Sequence, residues 1–139
     1  MRDRLAAADY RFTARRRRLI DLLLDAGRPV TLPELLEMDS SIPQSSTYRN
    51  LDVLERSGLV RRLSVGADHA RFELSEGLLG HHHHLICVRC GTVEDITLDE
   101  ATEQAVHAAL DTAAAAYEFA PLHHSVDLHG HCAGCRPAV

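Results

Sequence analysis

At 139 residues, with 45% hydrophobic content, no Trp and a formal charge of −5, the chain is long enough for one domain or two small ones. No apolar run approaches the length of a membrane span, and the opening Met1-Arg2-Asp3-Arg4-Leu5 lacks the apolar core of a secretion signal, so a cytoplasmic protein with no membrane partner is expected. The charge is uneven: residues 1–72 hold 13 Arg against 10 acids, residues 73–139 hold 2 Arg against 10 acids, and the two halves carry +3 and −8. Every fixed cation is Arg, the side chain that grips phosphates and guanine edges with two prongs, so the first half suits a nucleic-acid surface.

Leu5 to Ala8 reads as a short leading helix. Thr13 is a good N-cap for a helix running to about Ala26, with Leu19, Ile20, Leu22, Leu23 and Leu24 as its apolar stripe and Gly27 as its stop. Arg15, Arg16, Arg17 and Arg18 crowd the first turns, where the helix dipole repels cations; contact with phosphate is the gain that would offset this cost. Arg11, Arg15, Arg16 and Arg18 are accordingly DNA-contact candidates. Thr31-Leu32-Pro33-Glu34 is a capping box for a short helix to about Met38. After a turn at 40–43, a helix from Gln44 is stopped by Gly58. Its first half carries Ser45, Ser46, Thr47, Tyr48 and Arg49, small or hydrogen-bonding side chains suited to lie against base edges and phosphates. Leu59–Val65 and His69–Leu74 alternate as two strands around Gly66-Ala67-Asp68. Three helices and a hairpin over residues 1–74 make a winged helix-turn-helix, in which Arg61, Arg62 and Arg71 of the wing would add phosphate contacts.

Residues 75–80 read as a hinge, and residues 81–139 as a metal-binding dimerisation domain. His81-His82-His83-His84 runs into the strand Leu85-Ile86-Cys87. Side chains alternate across a strand, so His81 and His83 face one way and His82 and His84 the other, and one run feeds two sites. Cys87 and Cys90 flank a tight turn at Gly91, and Cys132 and Cys135 form a second pair; together they suit a four-cysteine zinc site, with redox dithiols as the alternative. Thr92–Ile96 is a further strand. Asp99 N-caps a helix from Glu100 to about Tyr117, on which Glu100, Glu103 and His107 share a face. His123–Gly130 reads as a third strand carrying His124. A long Ala-rich helix on a small sheet leaves an uncovered face, which invites a two-fold dimer. The fold class is α+β: an N-terminal winged helix-turn-helix followed by a small α/β dimerisation domain.

Tyr10-Arg11-Phe12-Thr13 with Arg16, Ser46 to Leu51, Arg71 to Leu74, His81 to Cys87 and Cys132-Ala133-Gly134-Cys135 together resemble the ferric uptake regulator family of metal-responsive bacterial repressors. The resemblance covers nearly the whole chain. It implies a homodimer bound to a double-stranded DNA operator, with Tyr48 and Arg49 at DNA-reading positions. It implies a structural Zn2+ on Cys87, Cys90, Cys132 and Cys135. It implies a regulatory ion at the hinge on Glu73, His82 and His84, to which His69 of the wing is the candidate addition. It implies a second site on His81, His83 and His124, completed from the helix by Glu103 or His107. The regulatory ion is expected to be Zn2+, with Fe2+, Mn2+ or peroxide sensing as alternatives. An enzyme is not expected: the remote alternative, a zinc-dependent hydrolase, finds no His-Glu-x-x-His run.

Overall fold

Helix α1, Ala14–Ala26, begins where Thr13 turns extended and its side chain accepts the Arg16 N–H, and it ends where Gly27 takes a left-handed φ of 59°. In this computed structural model the described residues are 10–65 and 69–136, with Asp3 and Ala7; the side chains of Val65 and His69 are not among them. The leading helix expected over 5–8, Ala7 apart, and the wing tip at 66–68 lie outside that description.

The two-residue strand β1, Val30–Thr31, was not legible in the sequence; it leads directly into α2, Leu32–Met38. Thr31 and Glu34 form the expected capping box, and Glu34 also holds Arg71 at 3.2 Å. Helix α3, Gln44–Arg56, follows the turn, and Gly58 after it has a left-handed φ of 68°. Strands β2, Val60–Val65, and β3, His69–Leu74, pair antiparallel, and β1 adds to β3, giving the order β1-β3-β2. Leu19, Ile20, Leu22 and Leu23 of α1 meet Leu35, Leu51, Leu54, Phe72 and Leu74 in one core. Each such buried side chain is worth about 1.5–3 kcal/mol. Leu24 stays outside this core at 48% exposure, because it lies on the outer side of the helix.

The hinge is a single helical turn, α4, Glu76–Leu79, rather than an open linker. Strand β4, His83–Cys87, then forms the centre of a second sheet, antiparallel to β5, Val93–Ile96, and parallel to β6, Asp127–Gly130. Between β5 and β6 runs α5, Glu100–Ala115, N-capped by Asp99. Strand β6 is shorter than the strand expected from His123, so His124 stands in the loop before it. Leu63 of the wing packs with Ile86 and Val93, joining the winged-helix head to this second frame. No residue of α5 is buried, and Leu85, Val88, Leu110 and Leu128 are exposed. Among the described residues no helix is long and apolar enough to cross a membrane.

Candidate metal centres

The histidine run straddles the start of β4, and strand alternation divides it. Three groups of donors result, each with its ligand atoms within 4.8 Å of one another: Cys87, Cys90, Cys132 and Cys135; His81, His83, Glu103 and His124; and Glu73, His82, His84 and Asp95.

The cysteine group is assembled by the parallel pairing of β6 with β4, which sets Gly130 beside Cys87. All four thiols are free, with Cys90 and Cys132 Sγ atoms 3.7 Å apart. The N–H of Cys132, then that of Cys90, donates toward Cys87 and lowers its pKa to about 5; Cys135 is pushed up to about 12, first by the thiol of Cys132. One thiolate is thus stabilised by backbone donors, and a fourth is opposed by its sulfur neighbours. A divalent cation among four such sulfurs would remove that opposition, so the donor set fits zinc.

In the hinge group, Glu73 closes β3 of the head, His82 and His84 flank the start of β4, and Asp95 lies on β5. His82 Nδ1 donates to the Gly80 carbonyl at 3.0 Å, and His84 Nδ1 lies 2.9 Å from Asp127 Oδ1. These partners fix the Nδ1–H tautomers and leave each Nε2 for a ligand. Both Nε2 atoms point at the same Glu73 oxygen, Oε2, at 3.4 Å for His82 and 3.0 Å for His84. His84 is therefore raised above the ordinary histidine value, first by Glu73 and then by Asp127 against its burial. Burial raises Asp95, and Glu73 adds to the shift. Glu73 Oε1 and Asp95 Oδ1 are buried without hydrogen bonds among the described residues. Arg61 stands 3.8 Å from Glu73 Oε1, whereas Asp95 Oδ1 has only the His84 ring, 3.9 Å away; a buried carboxylate oxygen with no donor is costly unless a cation meets it, so this group fits a divalent ion.

In the third group Glu103 sits in the first turn of α5, where the helix dipole favours an acid. Its Oε2 accepts from His83 Nε2 at 2.9 Å, and its Oε1 lies 3.1 Å from His81 Nε2. His124 Nε2 is 2.8 Å from the same Oε1, yet buried without a hydrogen bond among the described residues. The His83 bond is the main cause holding Glu103 below its ordinary value. Three nitrogens and one oxygen suit a tetrahedral ion.

Of the helix candidates, Glu103 reaches this group. His107 does not: one turn further along, it pairs with Asp111 at 2.9 Å and is 60% exposed. The side chain of His69 lies outside the described residues. Asp95 stands with Glu73, His82 and His84, and it was not legible in the sequence because Glu94 and Asp95 lie side by side in a short strand and look like any surface acids. Asp127, which orients His84, was missed for the same reason.

On α3, Ser45, Tyr48 and Arg49 are exposed and Ser46 is half-buried, with its hydroxyl on the Pro43 carbonyl. Thr47 departs from expectation: it is buried, and its hydroxyl donates to the Pro43 carbonyl at 2.9 Å. It faces the core because it shares the inward side of α3 with Leu51 and Leu54. Arg11 and Arg15 are exposed. Arg16 is instead an internal tie, donating to Asn50 at 3.1 Å and to the Arg11 carbonyl, with its guanidinium over the Tyr10 ring. Arg18 pairs with Asp39 at 2.6 Å across α1 and α2. In the wing, Arg71 is taken up by Glu34, and Arg61 faces Glu73 and Glu76, so neither is free for phosphate as expected. Arg62 lies over the Phe72 ring.

Comparison with known proteins adds a second line of evidence. The family model described as "Ferric uptake regulator family" matches residues 7–129. The "Ferric uptake regulation protein" of Legionella pneumophila is 37% identical, over 82% of this chain and 96% of its own length. The "Peroxide-responsive repressor PerR" of Staphylococcus epidermidis is 27% identical, over 95% and 85%. The crystal structure of the Vibrio cholerae ferric uptake regulator superposes with a TM-score of 0.72 at 27% identity, over 92% of this chain and 96% of that one.

Proposed function

The chain belongs to the ferric uptake regulator family, and from that premise we propose that it is a zinc-responsive transcriptional repressor of metal homeostasis. Members of this family are metal-dependent, DNA-binding regulators that act as dimers, and they are not enzymes, so the hydrolase alternative is set aside. We assign the structural zinc to Cys87, Cys90, Cys132 and Cys135, the sensed ion to Glu73, His82, His84 and Asp95, and a further ion to His81, His83, Glu103 and His124.

The observation that carries this reading is the span of the hinge group. Glu73 belongs to the head and the other three donors to the frame, and two carboxylates, Glu73 and Asp95, are brought together with two imidazoles, Asp95 Oδ1 being buried with no donor. A divalent cation there would supply two positive charges, offset both carboxylates and lower the cost of keeping them buried. Glu73 then fixes the end of β3 against β4, and the head takes one orientation on the frame. In a dimer, two heads so fixed match two major-groove half-sites. Ser45, Tyr48 and Arg49 on α3 would read the operator, with Arg11 and Arg15 on its phosphates. The exposed side of α5, with Leu110, and the uncovered sheet residues Leu85 and Leu128 would meet the second copy.

Zinc suits the four-donor hinge group with its two imidazoles, and the three-nitrogen set around Glu103 favours it for the further ion. Iron or manganese at the hinge is the second reading, and Asp95 favours it by adding a second oxygen donor. Elemental analysis of the purified full chain, grown without metal bias and dialysed against chelator, tests both. The expected result is one retained zinc per chain beside removable zinc. Removable iron or manganese would overturn the sensed-metal assignment, and loss of all zinc would overturn the cysteine site.

A further inference from the structure

The hinge group has a neighbour that no ligand scheme requires. Arg61 stands directly across from Glu73 in the β2–β3 register. Its Nε is 3.8 Å from Glu73 Oε1, and its terminal nitrogen is 3.8 Å from Glu76 Oε1. The guanidinium is only 30% exposed, against 2% for Glu73. Groups on two sides therefore face one carboxylate. Oε2 turns to His82 and His84, and Oε1 turns to Arg61 without a hydrogen bond.

We propose that Arg61 is a specificity-determining residue of the hinge group: it engages one oxygen of Glu73, so that this acid offers an ion only the other. The inference rests on the reading that this group holds the sensed metal. Its consequence is a limit on coordination number. With one atom each from Glu73, His82, His84 and Asp95, the group presents four donors, which suits zinc. Ferrous iron and manganese favour more oxygen donors, which a two-oxygen grip by Glu73 would supply. Asp95 pulls the group toward the harder ions, and Arg61 pulls it back. The fixed positive charge also lowers affinity for every divalent ion, so a higher free concentration is needed to fill the site. Glu76 of α4 adds a second carboxylate beside the same guanidinium, its Oε1 3.8 Å away.

The test uses full-length, dimeric protein carrying its cysteine-bound zinc, in the wild type and in Arg61→Gln and Arg61→Lys. Cobalt(II) absorption reports coordination number, and competition titrations give Zn2+ and Mn2+ affinities at the hinge. His84→Ala identifies the hinge contribution. In the wild type, a strong tetrahedral cobalt band that depends on His84 is expected. In Arg61→Gln that band should weaken toward the pale spectrum of higher coordination, and Mn2+ affinity should rise by about tenfold relative to Zn2+. Arg61→Lys, which keeps the charge, should restore most of the wild-type preference. Retention of one zinc per chain shows that each variant is folded. A wild-type hinge that binds cobalt while all three proteins share spectrum and preference would overturn the role of Arg61 alone. A wild type with no His84-dependent binding would overturn this role together with the hinge assignment itself.

Discussion

His84 Nε2 and Glu73 Oε2 stand 3.0 Å apart, one on the first strand of the frame and the other at the end of the last strand of the head. Both are buried, so head and frame meet through two polar atoms rather than through apolar surface alone. Replacing His84 with Ala should therefore remove the sensed ion and uncouple the two parts. Hinge affinity should fall by at least about a hundredfold, the upper end of what losing a mere orienting partner costs. Metal-dependent operator binding should vanish in a gel-shift assay while the cysteine-bound zinc persists. Unchanged metal dependence would refute the hinge assignment.

Cys135 distinguishes the ion proposed for the cysteine group from those proposed for the histidine groups. Its pKa of about 12 keeps it a thiol near neutrality when no ion is present, whereas Cys87, at about 5, is already a thiolate. Loading zinc must then expel at least the Cys135 proton. Calorimetry in two buffers of different ionisation enthalpy should show a zinc-linked proton release that Cys135→Ser reduces. The same variant should lose its chelator-resistant zinc. Equal proton release in both proteins would count against a four-sulfur site.

Thr47 and Tyr48 are neighbours in sequence with opposite assignments. Thr47→Val keeps the shape but loses the hydroxyl that donates to Pro43, and should cost about 1 kcal/mol in urea melts with operator affinity little changed. Tyr48→Ala and Arg49→Ala, on the exposed side, should weaken operator binding with melts close to wild type. The reverse pattern would place the reading surface elsewhere.

Asp39 makes the head acid-sensitive. Hydrogen bonds from the Ser41 hydroxyl, then from Arg18, lower its pKa to about 2 from an ordinary 3.8. As pH falls, the unfolded chain takes up this proton first, so stability is complete above about pH 4 and is lost between there and about pH 2. Urea melts across that window should be shallower in pH for Asp39→Asn than for wild type. Parallel pH profiles would show that the Ser41 and Arg18 contacts contribute nothing.

The helices of the head were legible because each end carries its own chemistry: Thr13 and Gly27 for α1, the Thr31–Glu34 box for α2. The division of the histidine run followed from strand alternation, which needs no knowledge of neighbours. The residues that close the groups were harder. Asp95 and Asp127 reach the hinge through strand pairing, His84 standing opposite both in the β4 registers, and pairing partners are not written in local sequence. Thr47 was misread because a polar residue in a polar stretch gives no sign that its helix turns it inward. The charges of Arg16, Arg18, Arg61 and Arg71 look alike in sequence, and only packing shows that each faces a partner, Asn50, Asp39, Glu73 and Glu34 respectively.

The parallel pairing of β6 with β4 has a temporal meaning. Cys87 and Cys132 are joined across 45 positions, whereas the head closes its core from residues 19–74. During synthesis the head has all its partners well before residues 127–135 exist, so it is free to fold while the frame is still an open strand bearing two lone thiols. Zinc capture at the proposed cysteine site therefore comes late in assembly, at the point when the second sheet and the His84–Asp127 contact also come into being.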